Sequence, residues 1–207
     1  MRELYRRRCR LEEPEMDTAK QAASLLANFA RPGESLLDAG CGSGYFFHSI
    51  KGMGLDYVGI DASLGLIRVG QEEMPRFGCP AEKLICTRME ELQGKVDHVV
   101  CLNVLSNIDN FHRPLERLLM MARRTVILRE SIWDKPSEYL YVQDRFLDKG
   151  FQLFVHVNTY NAAELLKLGE SLGFAGKKVI DDRTQGKPEV VIGYPHHWAF
   201  IIFERKT

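Results

Sequence analysis

Short apolar runs alternate with stretches of helical spacing along most of this chain, the pattern of a parallel sheet covered by helices. Ala19, Ala22, Ala23, Leu26 and Phe29 recur at helical intervals over 17–29, and Arg31-Pro32-Gly33-Glu34 ends that helix. A first strand is predicted over 35–39, with a helix opening near Tyr45 and closing around Lys51-Gly52. A second strand follows at 57–61, and a helix from about Ser63. Further strands are predicted at 84–87, 97–102 and 125–128. The last two are continuous apolar runs, as strands buried on both faces require. The alternation falters over 131–160, where Trp133, Tyr139, Tyr141, Phe146, Phe151, Phe154 and Tyr160 are mixed with charges. Asn161 and Glu164 then form a capping box for a helix that closes at Gly173. Strands at 179–181 and 198–203 complete the set. The reading is one α/β domain over 1–207, with a helical segment at 1–30 and an insertion at about 131–160.

Composition narrows the partners. An apolar fraction of 45% over 207 residues supports a full core for one such domain. The 28 basic residues balance 28 acidic ones, so no overall field draws the protein to nucleic acid or to an anionic membrane. A local basic cluster, Arg2, Arg6, Arg7, Arg8 and Arg10, lacks the apolar stretch of a signal peptide, and no apolar segment approaches bilayer length. It reads as an anion-binding flap or as a solvated helix face. Cys9, Cys41, Cys79, Cys86 and Cys101 contain no C-x-x-C pair, and two of them lie on strand-like apolar runs. That usage suits buried thiols in a reducing compartment, so a cytoplasmic location is expected. No set of metal ligands stands out.

The chemistry concentrates at Leu36-Leu37-Asp38-Ala39-Gly40-Cys41-Gly42-Ser43-Gly44 and at Asp61, which ends the second strand. Gly40, Gly42 and Gly44 remove side chains where the first strand turns into its helix, so a ligand can approach main-chain N–H groups. Dinucleotide folds use G-x-G-x-x-G/A to seat a pyrophosphate. Here the spacing is G-x-G-x-G, with Phe46 and Phe47 near the place of the last small residue. Asp38 would repel a pyrophosphate and would favour a ligand carrying an ammonium group.

This combination closely resembles the class I S-adenosylmethionine-dependent methyltransferases, by motif over about 16–130 and by order of elements to the C-terminus. The resemblance implies a Rossmann-like three-layer αβα sandwich with a seven-stranded, mostly parallel sheet of order 3-2-1-4-5-7-6, the last strand antiparallel. It implies S-adenosylmethionine as cofactor and S-adenosylhomocysteine as product. Gly40, Cys41, Gly42 and Gly44 would lie against its amino acid part, Asp38 would face its ammonium, and Asp61 would accept from both ribose hydroxyls. Ala62 would pack near the adenine. Arg88 stands where the family often has an acid for the adenine amino group, which leaves the main chain of Met89, or Glu90, to contact the ring. Leu102 and Asn103 match the region lining the methyl end.

Asn103 is followed by Val-Leu-Ser, so the Asn-Pro-Pro-Tyr-like motif of exocyclic-amine methyltransferases is absent, and balanced charge likewise disfavours a nucleic-acid substrate. The expected acceptor is a small or medium polar metabolite, a sugar or other biosynthetic intermediate, methylated at oxygen or nitrogen. The aromatic 131–160 segment is the expected wall over it, with His156 and Tyr160 as catalytic candidates. Tyr141 and His112 are further polar candidates, while His196 and His197 read as a solvated turn pair. Two other classes compete: a cofactor-binding module that has lost catalysis, and a nicotinamide-dependent oxidoreductase. A homo-oligomer is compatible with the sequence.

Overall fold

A computed structural model of the chain describes residues 2–144 and 153–206. At its centre β1 (Ser35–Ala39) lies between β2 (Asp56–Asp61) and β4 (Val96–Leu102), all parallel. Strand β3 (Leu84–Cys86) continues the parallel sheet beyond β2, and β5 (Ala122–Trp133) beyond β4. Strand β12 (Trp198–Arg205) runs antiparallel between β5 and β9 (Phe174–Ile180). The order β3-β2-β1-β4-β5-β12-β9 is the one the family resemblance implied. The chain winds outward from β1 to β3 and then returns to β4, so the strand order reverses between β1 and β4 and opens a crevice at their carboxyl ends.

Two helical layers explain why the strands are apolar on both faces. Leu37, Val126, Leu128 and Phe203 pack toward α5 (His112–Met121) and α6 (Ala162–Ser171). Their neighbours Leu36, Val100, Ile127 and Phe200 pack toward α1 (Arg2–Cys9), α2 (Asp17–Ala27), α3 (Phe47–Ile50) and α4 (Leu64–Glu73). Adjacent residues thus serve opposite cores, and a one-residue slip of β5 would exchange them. Helix α2 buries Ala19, Ala22, Ala23 and Leu26, the predicted stripe. Asn161 caps α6 by accepting from the Glu164 N–H at 3.1 Å. Gly173, at φ +84°, ends that helical segment as its sequence implied.

Several elements differ in extent. Helix α3 is a single turn that passes into a 3-10 turn, Lys51–Met53, and closes at Gly54. Strand β5 reaches Trp133 because β12 and the two-residue β8 (Tyr160–Asn161) pair with its far end. Strand β9 covers seven residues, not three, because β12 pairs along its whole length. Of the supposed insertion, 131–133 belong to β5, and the rest includes a hairpin of β6 (Tyr141–Gln143) with β7 (Phe154–His156). Phe146 and Phe151 lie outside the described residues. Asn158 ties this segment to the loop after β4, its N–H donating to Ser106 O and its Nδ2 to Ile108 O. A second hairpin, β10 (Glu189–Val191) with β11 (Tyr194–His196), precedes β12. Among the described residues no helix is long and apolar enough to cross a membrane.

Candidate cofactor and active site

The turn out of β1 needs its glycines. Gly40, Gly42 and Gly44 have φ of +80°, +59° and +77°, a region that costs L side chains roughly 1–2 kcal/mol. Space forbids side chains as well: a Cβ on Gly40 would lie 2.3 Å from Val104 Cγ2, and one on Gly42 2.7 Å from Tyr5 Cε1. The glycine N–H groups of the loop are already paired. Those of Gly40 and Cys41 both donate to Ile60 O at 2.8 Å, and that of Gly44 to Cys41 O at 2.9 Å. The expectation of free glycine amides is therefore corrected. The loop offers close approach, while its amides hold β1 to β2.

The Gly42 amide donates to Asp61 Oδ2 at 2.9 Å, and the Ser63 N–H donates to Asp61 Oδ1 at 2.7 Å. Two amides thus fix a half-buried carboxylate whose other lone pairs are left for a ligand. Burial raises the Asp61 pKa, against the pull of these two amides. Asp38 lies beneath, 3% exposed, accepting from the Tyr57 hydroxyl at 2.8 Å. Burial pushes its pKa up to about 7; the Tyr57 bond opposes this and the nearby Asp61 charge adds to it. An ammonium group beside these two acids would relieve both.

The neighbouring strand tips are less uniform. Ala62 is exposed beside Asp61, its carbonyl accepting from the Cys86 thiol at 3.7 Å. Met89 opens a 3-10 turn and packs, half-buried, on the core under α5. Glu90 is exposed and shares a surface depression with Arg113, Glu116, Arg117 and Met120. Leu102 packs, half-buried, on the α1–α4 side of the sheet.

Asn103 has φ +59°, uncommon for a non-glycine residue. Its N–H donates to Arg129 O at 2.7 Å, its carbonyl accepts from Asn107 Nδ2 at 2.8 Å, and its Oδ1 accepts from Arg129 Nη1. Arginine has only donors, so this contact turns the Asn103 NH2 away from Arg129. Arg129 is buried, paired with buried Asp181 at 2.7 Å, and stacked 4.6 Å from the Trp198 ring centre. Next to it, Glu130 points to the opposite side of β5 and gathers the following loop. Its Oε1 accepts from the Val104 and Leu105 N–H at 2.9 Å, and its Oε2 from the Ser106 N–H at 2.8 Å. Sequence reasoning passed over both residues. Their signal was an Arg-Glu pair directly after an apolar run, where a buried strand should have nothing charged.

The acceptor-side candidates separate. Tyr160 is fully buried, its hydroxyl donating to Leu105 O and accepting from Asn158 Nδ2. A committed, buried phenol cannot meet a substrate, so the structure places Tyr160 in support of the loop after β4. His156 is half-buried on β7, its ring centre 4.6 Å from that of Tyr141. His112 opens α5, stacked on Phe111 at 4.1 Å. His196 is buried against Trp198, not solvated.

Of the N-terminal arginines, Arg2, Arg7 and Arg10 are exposed and Arg6 and Arg8 half-buried. Arg6 and Arg10 both reach buried Glu73 of α4, at 2.9 and 2.8 Å, and Arg7 pairs with Glu13 at 2.7 Å. Arg6 and Arg10 tie α1 to α4, with the Tyr5 ring against Gly42 and edge-on to Tyr45 at 5.9 Å.

The reversal of strand order at β1 and β4, the glycine turn and the fixed acid at the tip of β2 define a class I S-adenosylmethionine-dependent methyltransferase. The chain belongs to the family described as a methyltransferase domain, which it matches over residues 8–179. Phosphoethanolamine N-methyltransferase 3 of Arabidopsis thaliana is 23% identical over 179 residues, covering 82% of this chain and 34% of the relative. Demethylmenaquinone methyltransferase of Beutenbergia cavernae is 31% identical over 131 residues, covering 61% and 53%. The chain thus spans a third to a half of the curated relatives it matches. Among solved structures, magnesium protoporphyrin IX methyltransferase from Synechocystis PCC 6803, with S-adenosylhomocysteine bound, superposes with a TM-score of 0.65 at 20% identity. That match covers 91% of this chain and 82% of the other, and it shows the fold.

Proposed function

We propose that this enzyme binds S-adenosylmethionine across the tips of β1, β2 and β4 and methylates oxygen or nitrogen of a small or medium polar metabolite. The carrying observation is the Asp61 carboxylate, fixed by the Gly42 and Ser63 amides beside a side-chain-free loop with Asp38 buried beneath. The residues suit the cofactor. Asp61 has lone pairs for the ribose hydroxyls, Asp38 offers a negative partner for the ammonium, and Gly40, Cys41, Gly42 and Gly44 admit the methionyl chain. Ala62 and Met89 flank the adenine position, and Leu102 and Asn103 the methyl end.

The bound cofactor supplies a methyl group on a sulfonium, an already activated leaving group. The protein's task is then to orient the acceptor and remove a proton where the acceptor carries one. Asn103 holds its NH2 ready to donate, since Arg129 occupies its oxygen. His156 is the base we favour, because its hairpin is anchored to the loop after β4 through Asn158. Phosphoethanolamine, demethylmenaquinone and magnesium protoporphyrin IX, named for three of the similar proteins, support a small-molecule acceptor over nucleic acid. The four buried thiols, Cys9, Cys41, Cys79 and Cys101, support a reducing compartment such as the cytoplasm.

Calorimetric titration tests the cofactor, using S-adenosylmethionine, S-adenosylhomocysteine and NAD on the unaltered protein and on Asp61→Ala. The proposal expects micromolar binding of the first two, at least tenfold weaker in the variant. Binding of NAD alone, or no binding by folded protein free of copurified ligand, overturns it. Turnover in a metabolite screen then separates an enzyme from a silent cofactor-binding module.

A further inference from the structure

A cleft outside the crevice opens where β5 and β9 end and β12 begins. None of the residues lining it is among those placed at the cofactor. Ile132 and Ile180 line it together with the half-buried rings of Trp133 and His197, whose centres are 5.3 Å apart. Ile180 is 61% exposed, so an apolar side chain stands open to solvent beside an indole. The cleft holds about 170 Å³, and roughly 150 Å³ of apolar space admits one benzene ring.

The rim sets the charge of an occupant. Lys178 pairs with Asp134 at 2.9 Å, and both line the cleft. Among the described residues Lys135 has no carboxylate partner, and its ammonium lies 5.5 Å from the Trp133 ring centre. Burial, and then Lys135 and Lys178, lower the His197 pKa, so this ring is neutral at pH 7. Two lysines thus stand against one acid, which leaves a positive charge beside two aromatic rings. We propose that the cleft binds a single-ring aromatic carboxylate, its ring against Trp133 and Ile180 and its carboxylate on Lys178 in competition with Asp134. The wall of the cleft is also tied to the loop after β4. The Ile132 N–H donates to His197 O at 2.7 Å, the His197 N–H to Ser131 Oγ at 2.9 Å, and the Ser131 N–H to Ser106 Oγ at 3.0 Å. An occupant therefore rests on the strand ends that hold this loop. The site is independent of the cofactor reading, and either can fail alone.

Benzoate is the probe, titrated into the full chain and followed by the Trp133 indole N–H and the backbone amides in heteronuclear NMR spectra. Benzamide keeps the ring without the charge, and acetate keeps the charge without the ring. Saturable shifts are expected for benzoate at Trp133 and across 178–180 and 197–199, with benzamide about threefold weaker and acetate without effect. Asp134→Asn frees Lys178, so it should tighten benzoate about threefold and leave benzamide unchanged. Lys178→Gln should bring benzoate down to the affinity of benzamide, and Lys167→Gln, a surface control on α6, should change nothing. Ile180→Glu alters an exposed side chain, so the fold should survive, and it should weaken benzoate at least tenfold by setting a carboxylate against the ligand. Shifts confined to 38–44 and 61–63 would place benzoate in the crevice and overturn the proposal. Equal affinities for benzoate and benzamide in every variant, the same shifts with acetate, or no saturable shift up to the solubility limit of benzoate would each overturn it as well.

Discussion

Cofactor binding should release a proton from Asp38. The carboxyl is 3% exposed and its pKa is raised from 3.8 to about 7, chiefly by burial. Between those values the folded protein holds a proton that the unfolded chain has lost. Stability attributable to Asp38 is therefore greatest below about pH 4 and declines as pH rises toward about 7, by about 4 kcal/mol in all, at about 1.4 kcal/mol per unit. An ammonium group set against Asp38 favours its ionised form, so binding and deprotonation are linked. With only the carboxylate form binding, affinity reaches its plateau above about pH 8, halves near pH 7 and is about tenfold weaker at pH 6. Titration of S-adenosylhomocysteine in buffers of different ionisation enthalpy should show about half a proton released at pH 7. Asp61 also has a raised pKa and lies nearby, so the discriminating variant is Asp38→Asn. That variant should bind more weakly, with a nearly flat pH profile. No proton release from the unaltered protein, or undiminished release from Asp38→Asn, would refute the linkage.

Other outcomes follow from single contacts. Glu130→Gln replaces one acceptor oxygen with a donor facing a loop amide; it should lower stability by about 3 kcal/mol and Tm by roughly 6–12 °C in thermal unfolding. Gly42→Ala places a methyl group against Tyr5 at φ +59°, so α1 should lift, with faster amide exchange in 2–9 and at least tenfold weaker cofactor binding. Tyr160→Phe removes a buried hydroxyl from Leu105 O; stability should fall by about 1 kcal/mol with kcat within about threefold, and a hundredfold loss in folded protein would restore a catalytic role. Once an acceptor is known, His156→Gln should lower kcat by about 100-fold or more while leaving cofactor affinity unchanged, and an unchanged kcat would exclude it as base.

What the sequence revealed was local. Apolar runs, the acid before the glycines and the acid at the tip of β2 all lie within a few residues of the turns they form, so pattern and chemistry coincided. The groups it hid act across long separations. Glu130 holds amides at 104–106, and Arg129 pairs with Asp181 fifty-two residues away. Tyr5 meets Gly42 on a helix that Arg6 and Arg10 tie to Glu73 of another helix and Cys9 ties to Ser43. Tyr160 was chosen for its polar tip, yet nothing in the order of residues tells which way a hydroxyl points, and it faces Leu105 inside the protein.

The Arg-Glu pair within β5 shows how the hidden part can become readable. A parallel strand covered on both faces has no place for two adjacent charges unless both are answered, because an unpaired buried charge costs several kcal/mol. Adjacent strand residues face opposite ways, so the two answers must come from different sides of the sheet. Here Arg129 is answered by Asp181, Asn103 and the Trp198 ring, and Glu130 by three consecutive amides of the loop after β4. Both answers converge on one segment, Asn103 to Ser106, at the crevice where a methyl group would be delivered. A charged pair inside a buried strand thus signals a loop that must be held in a single conformation, and such rigidity is what an in-line transfer between two bound molecules demands.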